Sequence, residues 1–242
     1  MPVASPPFAA LAGEAARLGL ELSSAQIALC ERFANELIER NTSVNLTAIT
    51  EPQDIARKHF LDSFTALAVR RWTGRERVVD VGSGAGFPGL AIRIALPKVR
   101  VTLVESVGKK ARFLEDVCAL LGLTDVEIRN ERAEALGRER RERYDVGTAR
   151  AVGTLGMVAE YLLPLLRVGG DAVVWKGRVD AELPGAQKAC GSVGGEIVSI
   201  VPTASLGVGD VLPGRNLVVI RKSRPTPPRF PRTSAEARRR PW

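Results

Sequence analysis

A doubly wound α/β fold is what this 242-residue sequence predicts, and three observations carry it. Val78-Val79-Asp80-Val81 is a β-branched run with the composition of a buried parallel strand. It opens directly into a glycine-rich turn, Gly82 to Gly89, and Leu90-Ala91-Ile92-Arg93-Ile94 begins a helical pattern behind it. Strand, turn and helix N-terminus together offer a ligand bare backbone to lie on. From there to Lys176, short apolar runs alternate with helical stretches, as such a sheet requires.

Ahead of the turn the pattern is helical. Residues 1–22 are rich in Ala and Pro and weakly periodic, so a partly frayed terminus is expected. Ser23-Ser24-Ala25-Gln26 is a capping-box pattern. Ile27, Cys30, Phe33, Leu37 and Ile38 recur behind it at helical spacing, in a helix ending near Asn41. Asn45-Leu46-Thr47 reads as turn chemistry. A second helix opens in the same way at Thr50-Glu51-Pro52-Gln53 and buries Ile55, Phe60, Phe64 and Leu67. His59, the sole histidine, falls inside it: a hydrogen-bonded structural group, or a lining residue if this helix faces the glycine turn. Residues 1–72 thus form an N-terminal helical extension packed on the core.

The core domain spans residues 73–222. Strands are expected at 78–81, 99–104, 126–129, 144–148 and 172–176, with helices over 109–121 and 155–166. Two late strands, 196–201 and 216–221, lie close in sequence and suggest an antiparallel pair at the sheet edge. That ending is the mark of the methyltransferase variant of the Rossmann-type fold.

Charge is unevenly placed. Of the net +8, residues from Arg221 onward contribute +7, eight cations against Glu236 alone. Residues 223–242, with five prolines, read as a basic and flexible tail, either solvated or an RNA-binding arm through residues such as Arg238, Arg239 and Arg240. Hydrophobic content is 45%, and no apolar run is long enough for a membrane span. No secretory signal is visible, and Cys30, Cys118 and Cys190 are widely spaced, outside any C-x-x-C. A reducing cytoplasm is expected, with no structural metal.

Gly84 to Gly89 fits G-x-G-x-x-G, the dinucleotide pattern. Counted from Gly82, where the turn begins, Phe87 stands where the third glycine belongs. Asp80 closes the strand, and no Lys or Arg occurs between Val78 and Ile92. A carboxylate there repels a pyrophosphate and suits the sulfonium and ammonium of S-adenosylmethionine. Asp80, Gly82, Gly84 and Gly86 are therefore candidates for that ligand. Glu105, at the end of the second strand, stands where an acid accepts ribose hydroxyls. Ala133-Glu134 follows the third strand, where an adenine would lie; a surface carboxylate explains Glu134 equally well.

Strand four ends in Thr148-Ala149-Arg150, without an Asp/Asn-Pro-Pro-Tyr/Phe grip for an exocyclic amine and without a Pro-Cys nucleophile. Methylation of guanine N7 needs alignment more than a base, because N7 carries a lone pair and no proton. Lys109, Lys110 and Arg112 oppose the macrodipole of their helix, which hints at RNA phosphate or marks a solvated face. Lys176, ending strand five, is a candidate for the substrate edge.

Asn45-Leu46-Thr47, Lys58 to Ser63, Asp80 to Gly89, Glu105-Ser106 with Gly108-Lys109-Lys110, Arg150-Ala151 and Lys176-Gly177 occur in this order. Together they resemble the bacterial 16S rRNA guanine-N7 methyltransferases, the glucose-inhibited division protein B family. The resemblance implies methyl transfer from S-adenosylmethionine to one guanine in the decoding-region loop of 16S rRNA, naked or in the small ribosomal subunit. It implies donor contacts at Gly82, Phe87, Ala133, Glu134 and Arg150; Arg150 and Lys176 are also candidates to orient the base or the RNA backbone. The family often has Asp where Glu105 stands. A monomer is expected. The alternatives are methyl transfer to another RNA atom or a small molecule, or a module that binds a nucleoside without turnover.

Overall fold

The computed structural model describes residues 5–242. A seven-stranded sheet runs β3-β2-β1-β4-β5-β7-β6. Its strands are β1 (Arg77–Val81), β2 (Arg100–Val104), β3 (Val126–Arg129), β4 (Tyr144–Arg150), β5 (Leu166–Lys176), β6 (Gly195–Pro202) and β7 (Asn216–Lys222). The first five are parallel, and β7 lies antiparallel between β5 and β6. The expected antiparallel ending is present.

Strand alternation explains why both faces are covered. Val78, Val101, Leu103, Val173 and Trp175 enter one core cluster, while Val79, Val81, Val104, Ala172 and Val174 enter the other. Helices α4 (Gly89–Ala95) and α5 (Gly108–Leu121) cover the first face. Helices α6 (Ala133–Glu139), α7 (Leu155–Leu162) and α8 (Leu183–Val193) cover the second. The helix expected to reach residue 166 stops at Leu162, because Pro164 cannot continue it. The freed residues extend β5 back to Leu166.

Residues 6–16 correct the expectation of a frayed terminus; its first four residues lie outside the described ones. Pro6–Ala16 form helix α1, which buries Phe8, Leu11 and Ala15. Phe8 meets the ring of Phe60 edge-on at 6.0 Å. Helix α2 (Ser24–Val44) has the full capping box between Ser23 and Gln26 and closes on Asn45 at φ 54°. The Asn41 carboxamide oxygen accepts from Leu46 N at 2.7 Å and Thr47 N at 2.9 Å, the expected turn chemistry. Helix α3 covers residues 52–67 and is π-helical over Ile55–Leu61. No side chain caps its start, so only the proline of the expected opening is used.

The arginine-rich end departs most from expectation. Phe230 is buried, and the Arg141 guanidinium donates to the carbonyls of Phe230 at 2.6 Å and Thr226 at 2.7 Å. Arg232 pairs with the buried Glu160 at 2.6 Å, and the Trp242 indole N–H donates to the same carboxylate at 2.7 Å. A short helix, α9 (Ser234–Arg239), starts with a second capping box, Thr233 and Glu236. The segment is a strap across α6 and α7, ordered by a buried acid that composition does not reveal. Among the described residues no helix is long and apolar enough to cross a membrane.

Candidate active site

The glycine turn sits at the C-terminal ends of β1 and β2. Gly82 N and Ser83 N both donate to Val104 O, at 2.8 and 3.2 Å, which lays the turn along β2. Gly82 has φ +71°, and a Cβ there would stand 2.6 Å from a Val152 methyl. Gly89 lets α4 approach the sheet; a Cβ there would lie 2.9 Å from an Asp80 oxygen.

Asp80 is corrected by the structure. Its carboxylate is fully buried beneath the turn, accepting from Thr148 Oγ1 at 2.8 Å and from Gly89 N at 3.2 Å. Burial raises its pKa to about 6 despite those bonds. Asp80 shapes the loop from below and does not present a charge to a ligand above it. The Phe87 ring also points inward. It is a core residue stacked between His59, at 4.6 Å, and Phe33, at 4.8 Å.

Glu105 holds the neighbouring turn. Its two carboxylate oxygens accept from Gly84 N at 2.9 Å and Val107 N at 2.8 Å, and each keeps a lone pair for a hydroxyl. Ala133 and Glu134 open α6, and Ser234 of the strap donates its hydroxyl to Glu134. Val81, Gly82, Val104, Ser106, Ala133 and Glu134 line one hollow of about 80 Å³, with Val152 and Tyr161 over it. Bare backbone and nearby carboxylates are a donor set for a nucleoside with hydroxyls and amines. Arg132 also reaches this rim, a cation that the sequence reading overlooked because it comes from the β3 side. Gly86 stands behind the hollow, packed near Phe33 and Leu90.

Beside the hollow, Arg150 joins β4 to the helical cap. Its guanidinium donates to Asp62 Oδ2 at 2.8 Å, Lys58 O at 2.9 Å and His59 Nδ1 at 2.9 Å. Arginine can only donate, so Nδ1 is the acceptor, and the imidazole proton is assigned to Nε2, facing Thr47 Oγ1 at 2.9 Å. Burial, then the charges of Arg150 and Arg215, push the His59 pKa down to about 3. His59 is thus a buried neutral linker with both nitrogens engaged, the hydrogen-bonded structural group of the two readings. The π-helical turn delivers Lys58 O and His59 to Arg150 together.

Lys176 Nζ donates to Gly153 O and pairs with Glu182 Oε2, both at 2.8 Å, and so holds the loop of residues 151–153. A cavity of about 210 Å³ opens between β4 and β5, lined by Arg150, Val152, Trp175, Lys176 and Arg215 among others. Arg215, from the β6–β7 connection, escaped the sequence reading, since only the antiparallel insertion of β7 brings it here. Lys109 and Arg112 are exposed on α5 and Lys110 is half-buried; Arg238, Arg239 and Arg240 are exposed on the strap. The three cysteines are buried, and burial raises their thiol pKa values, to about 11 for Cys118 and about 12 for Cys190.

Residues 26–207 match the family model described as GidB, rRNA small subunit methyltransferase G. The chain belongs to that family. Its members named "Ribosomal RNA small subunit methyltransferase G" include one from Roseiflexus castenholzii, 45% identical over 92% of this chain and 94% of its own length. Another, from Alkaliphilus oremlandii, is 38% identical over 93% of this chain and 94% of its own length. These are methyltransferases, and the family match spans the glycine turn, Glu105, Glu134, Arg150 and Lys176.

Solved structures share the fold alone. The 4+2 cyclase SpnF aligns with a TM-score of 0.59 at 16% identity, over 84% of this chain and 98% of its own. YcgJ of Bacillus subtilis gives 0.53 at 13%, over 69% of this chain and all of its own. A cyclase on this architecture shows why the reaction has to be read from the site.

Proposed function

We propose that this chain transfers a methyl group from S-adenosylmethionine to N7 of a guanine in the decoding-region loop of 16S rRNA. The observation that carries the reading is the juxtaposition of the glycine-lined hollow with the Arg150–Arg215 cavity across the single residue Val152. Donor and acceptor would thus meet at the ends of β1 and β4.

S-adenosylmethionine, when bound, supplies an electrophilic methyl group on a sulfonium. Gly82 and Gly84 offer it backbone, Glu105 accepts ribose hydroxyls, and Ala133 with Glu134 flanks the adenine. Arg150 and Arg215 face the acceptor side, where they orient the base or its phosphate. Each titratable group named around that cavity is already engaged: His59 is neutral and bonded at both nitrogens, Asp62 holds Arg150, and Lys176 is paired with Glu182. Such a site aligns reactants and does not relay protons, which suits an acceptor that has no proton to lose. The enzyme is read as a cytoplasmic monomer.

Incubation with labelled donor and either small ribosomal subunits or naked 16S rRNA, followed by mapping of the methyl group, tests the assignment. Incorporation at one guanine N7 is expected. Incorporation into neither RNA would leave a nucleoside-binding module in its place. Calorimetry with S-adenosylmethionine and NAD tests the ligand separately, with preference for the former expected.

A further inference from the structure

Between α7 and the strap lies a cavity of about 400 Å³, within the ~300–1,000 Å³ range of sites that take small organic molecules. It shares Arg132 and Tyr161 with the glycine-lined hollow, so an occupant would be a close neighbour of the donor. Met157 of α7 and Ala237 of α9 line it with apolar surface beside the rings of Tyr161 and Trp242, and the paired Glu160 and Arg232 also reach it. Arg132 and Arg238 stand at it with their side chains exposed, and Arg239 and Arg240 follow Arg238 in the chain.

Two further features show a built site. Thr154 lines the cavity at the N-cap position of α7, yet its side chain does not cap the helix. The first helical amide, Leu155 N, donates to Glu182 Oε2, and the Thr154 hydroxyl makes no hydrogen bond among the described residues. Trp242 is held in place from below. Its indole N–H reaches Glu160, the Arg232 guanidinium lies 4.3 Å from its ring centroid, and a Cβ on Gly156 would stand 2.8 Å from it. Aromatic surface, unpaired arginines and a free hydroxyl form the chemistry that recognises a single-stranded nucleotide: base on ring, phosphate on guanidinium.

We propose that this cavity receives a splayed nucleotide of the substrate RNA, one flanking the methylated guanine. The proposal rests on the RNA methyltransferase reading. It assigns the strap a defined pocket where a diffuse basic tail would offer only charge. Arg132, set between the two sites, would then touch both the donor and the flanking nucleotide.

The test uses the full chain with its methylated RNA. Ala237→Trp fills the cavity while Glu160, Arg232 and Trp242 are left unsubstituted, and Thr154→Ala and Arg238→Ser remove polar contacts one at a time. Ala237→Trp is expected to raise the KM for RNA roughly tenfold, the scale of losing one stacked base, with the Kd for S-adenosylmethionine unchanged. Smaller rises in the same KM are expected for the other two, with thermal melts showing that all three fold. An unchanged RNA KM across the set overturns the proposal. A rise in donor Kd at constant RNA KM also overturns it and gives the cavity to the donor. Wild-type enzyme that methylates no RNA would instead defeat the parent reading; direct binding of a short single-stranded RNA, weakened by Ala237→Trp, still tests the cavity.

Discussion

His59 carries a pH signature that its position alone explains. Its folded pKa, about 3, lies below the ordinary 6.5, so the folded chain binds fewer protons there than the unfolded one. The stability it contributes is present above pH 6.5 and is lost as pH falls toward 3, at ~1.4 kcal/mol per pH unit. Urea unfolding should therefore show a loss of about 2 kcal/mol from this group between pH 7 and 5, absent in His59→Gln. An identical pH slope in the variant would refute the linkage. Asp80 has the opposite sign: raised to about 6, its contribution is present below the ordinary carboxylate range and lost as pH rises through 6. Comparison of wild type and variant removes that shared term. Gly82 is the other residue with a sharp expectation. Gly82→Ala places a methyl 2.6 Å from Val152 at φ +71° and should abolish donor binding by calorimetry. Pairing it with Val152→Ala relieves the overlap but not the backbone strain, so recovery should be partial.

At the scale of elements, two segments decide access to the site. The loop of residues 151–153 closes over Gly82, with Ala151 at φ 58° and Gly153 O tied to Lys176. Lys176→Met removes that charge-assisted bond, and amide exchange at residues 151–154 should quicken about tenfold or more. Exchange equal to wild type would show the loop to be held by other means. The strap is the second segment. Glu160 is 1% exposed and accepts from Arg232 and Trp242 together. Glu160→Ala leaves two donors stranded and should cost roughly 3–5 kcal/mol in unfolding free energy. A freely hanging tail would lose nothing measurable.

Across the whole molecule, charge and topology divide the labour. The body is nearly neutral and the strap basic, so RNA affinity should fall steeply with salt. Replacing Arg238, Arg239 and Arg240 by Ser should flatten the slope of log K against log salt by roughly two, if each meets one phosphate at ~0.7–0.9 per contact. An unchanged slope would exclude them from the interface. Topology brings the two halves of the candidate site together: the parallel order of β1, β2 and β4 sets the loops at their C-terminal ends side by side, and antiparallel β7 delivers Arg215 from far along the chain to Arg150's cavity.

Local chemistry was legible in advance. The β-branched run into Gly82, the Ser23 capping box, the position of Glu105 and the antiparallel ending depend on patterns a few residues long, and each stands as the sequence implies. Side-chain direction was not legible. Asp80 and Phe87 sit in the right loop, but whether they face a ligand or the core depends on Thr148, His59 and Phe33, each supplied by another element. The strap failed for the same reason: proline and arginine content implies disorder only while the buried Glu160, 72 residues upstream of Arg232, is left out of account. Sequence by itself determined the fold, the glycine turn at the strand end and the family, because these are written in local spacing. Tertiary structure alone decided which groups point into the site, because burial of a carboxylate or a ring is settled by partners that only folding brings within 3–5 Å of it.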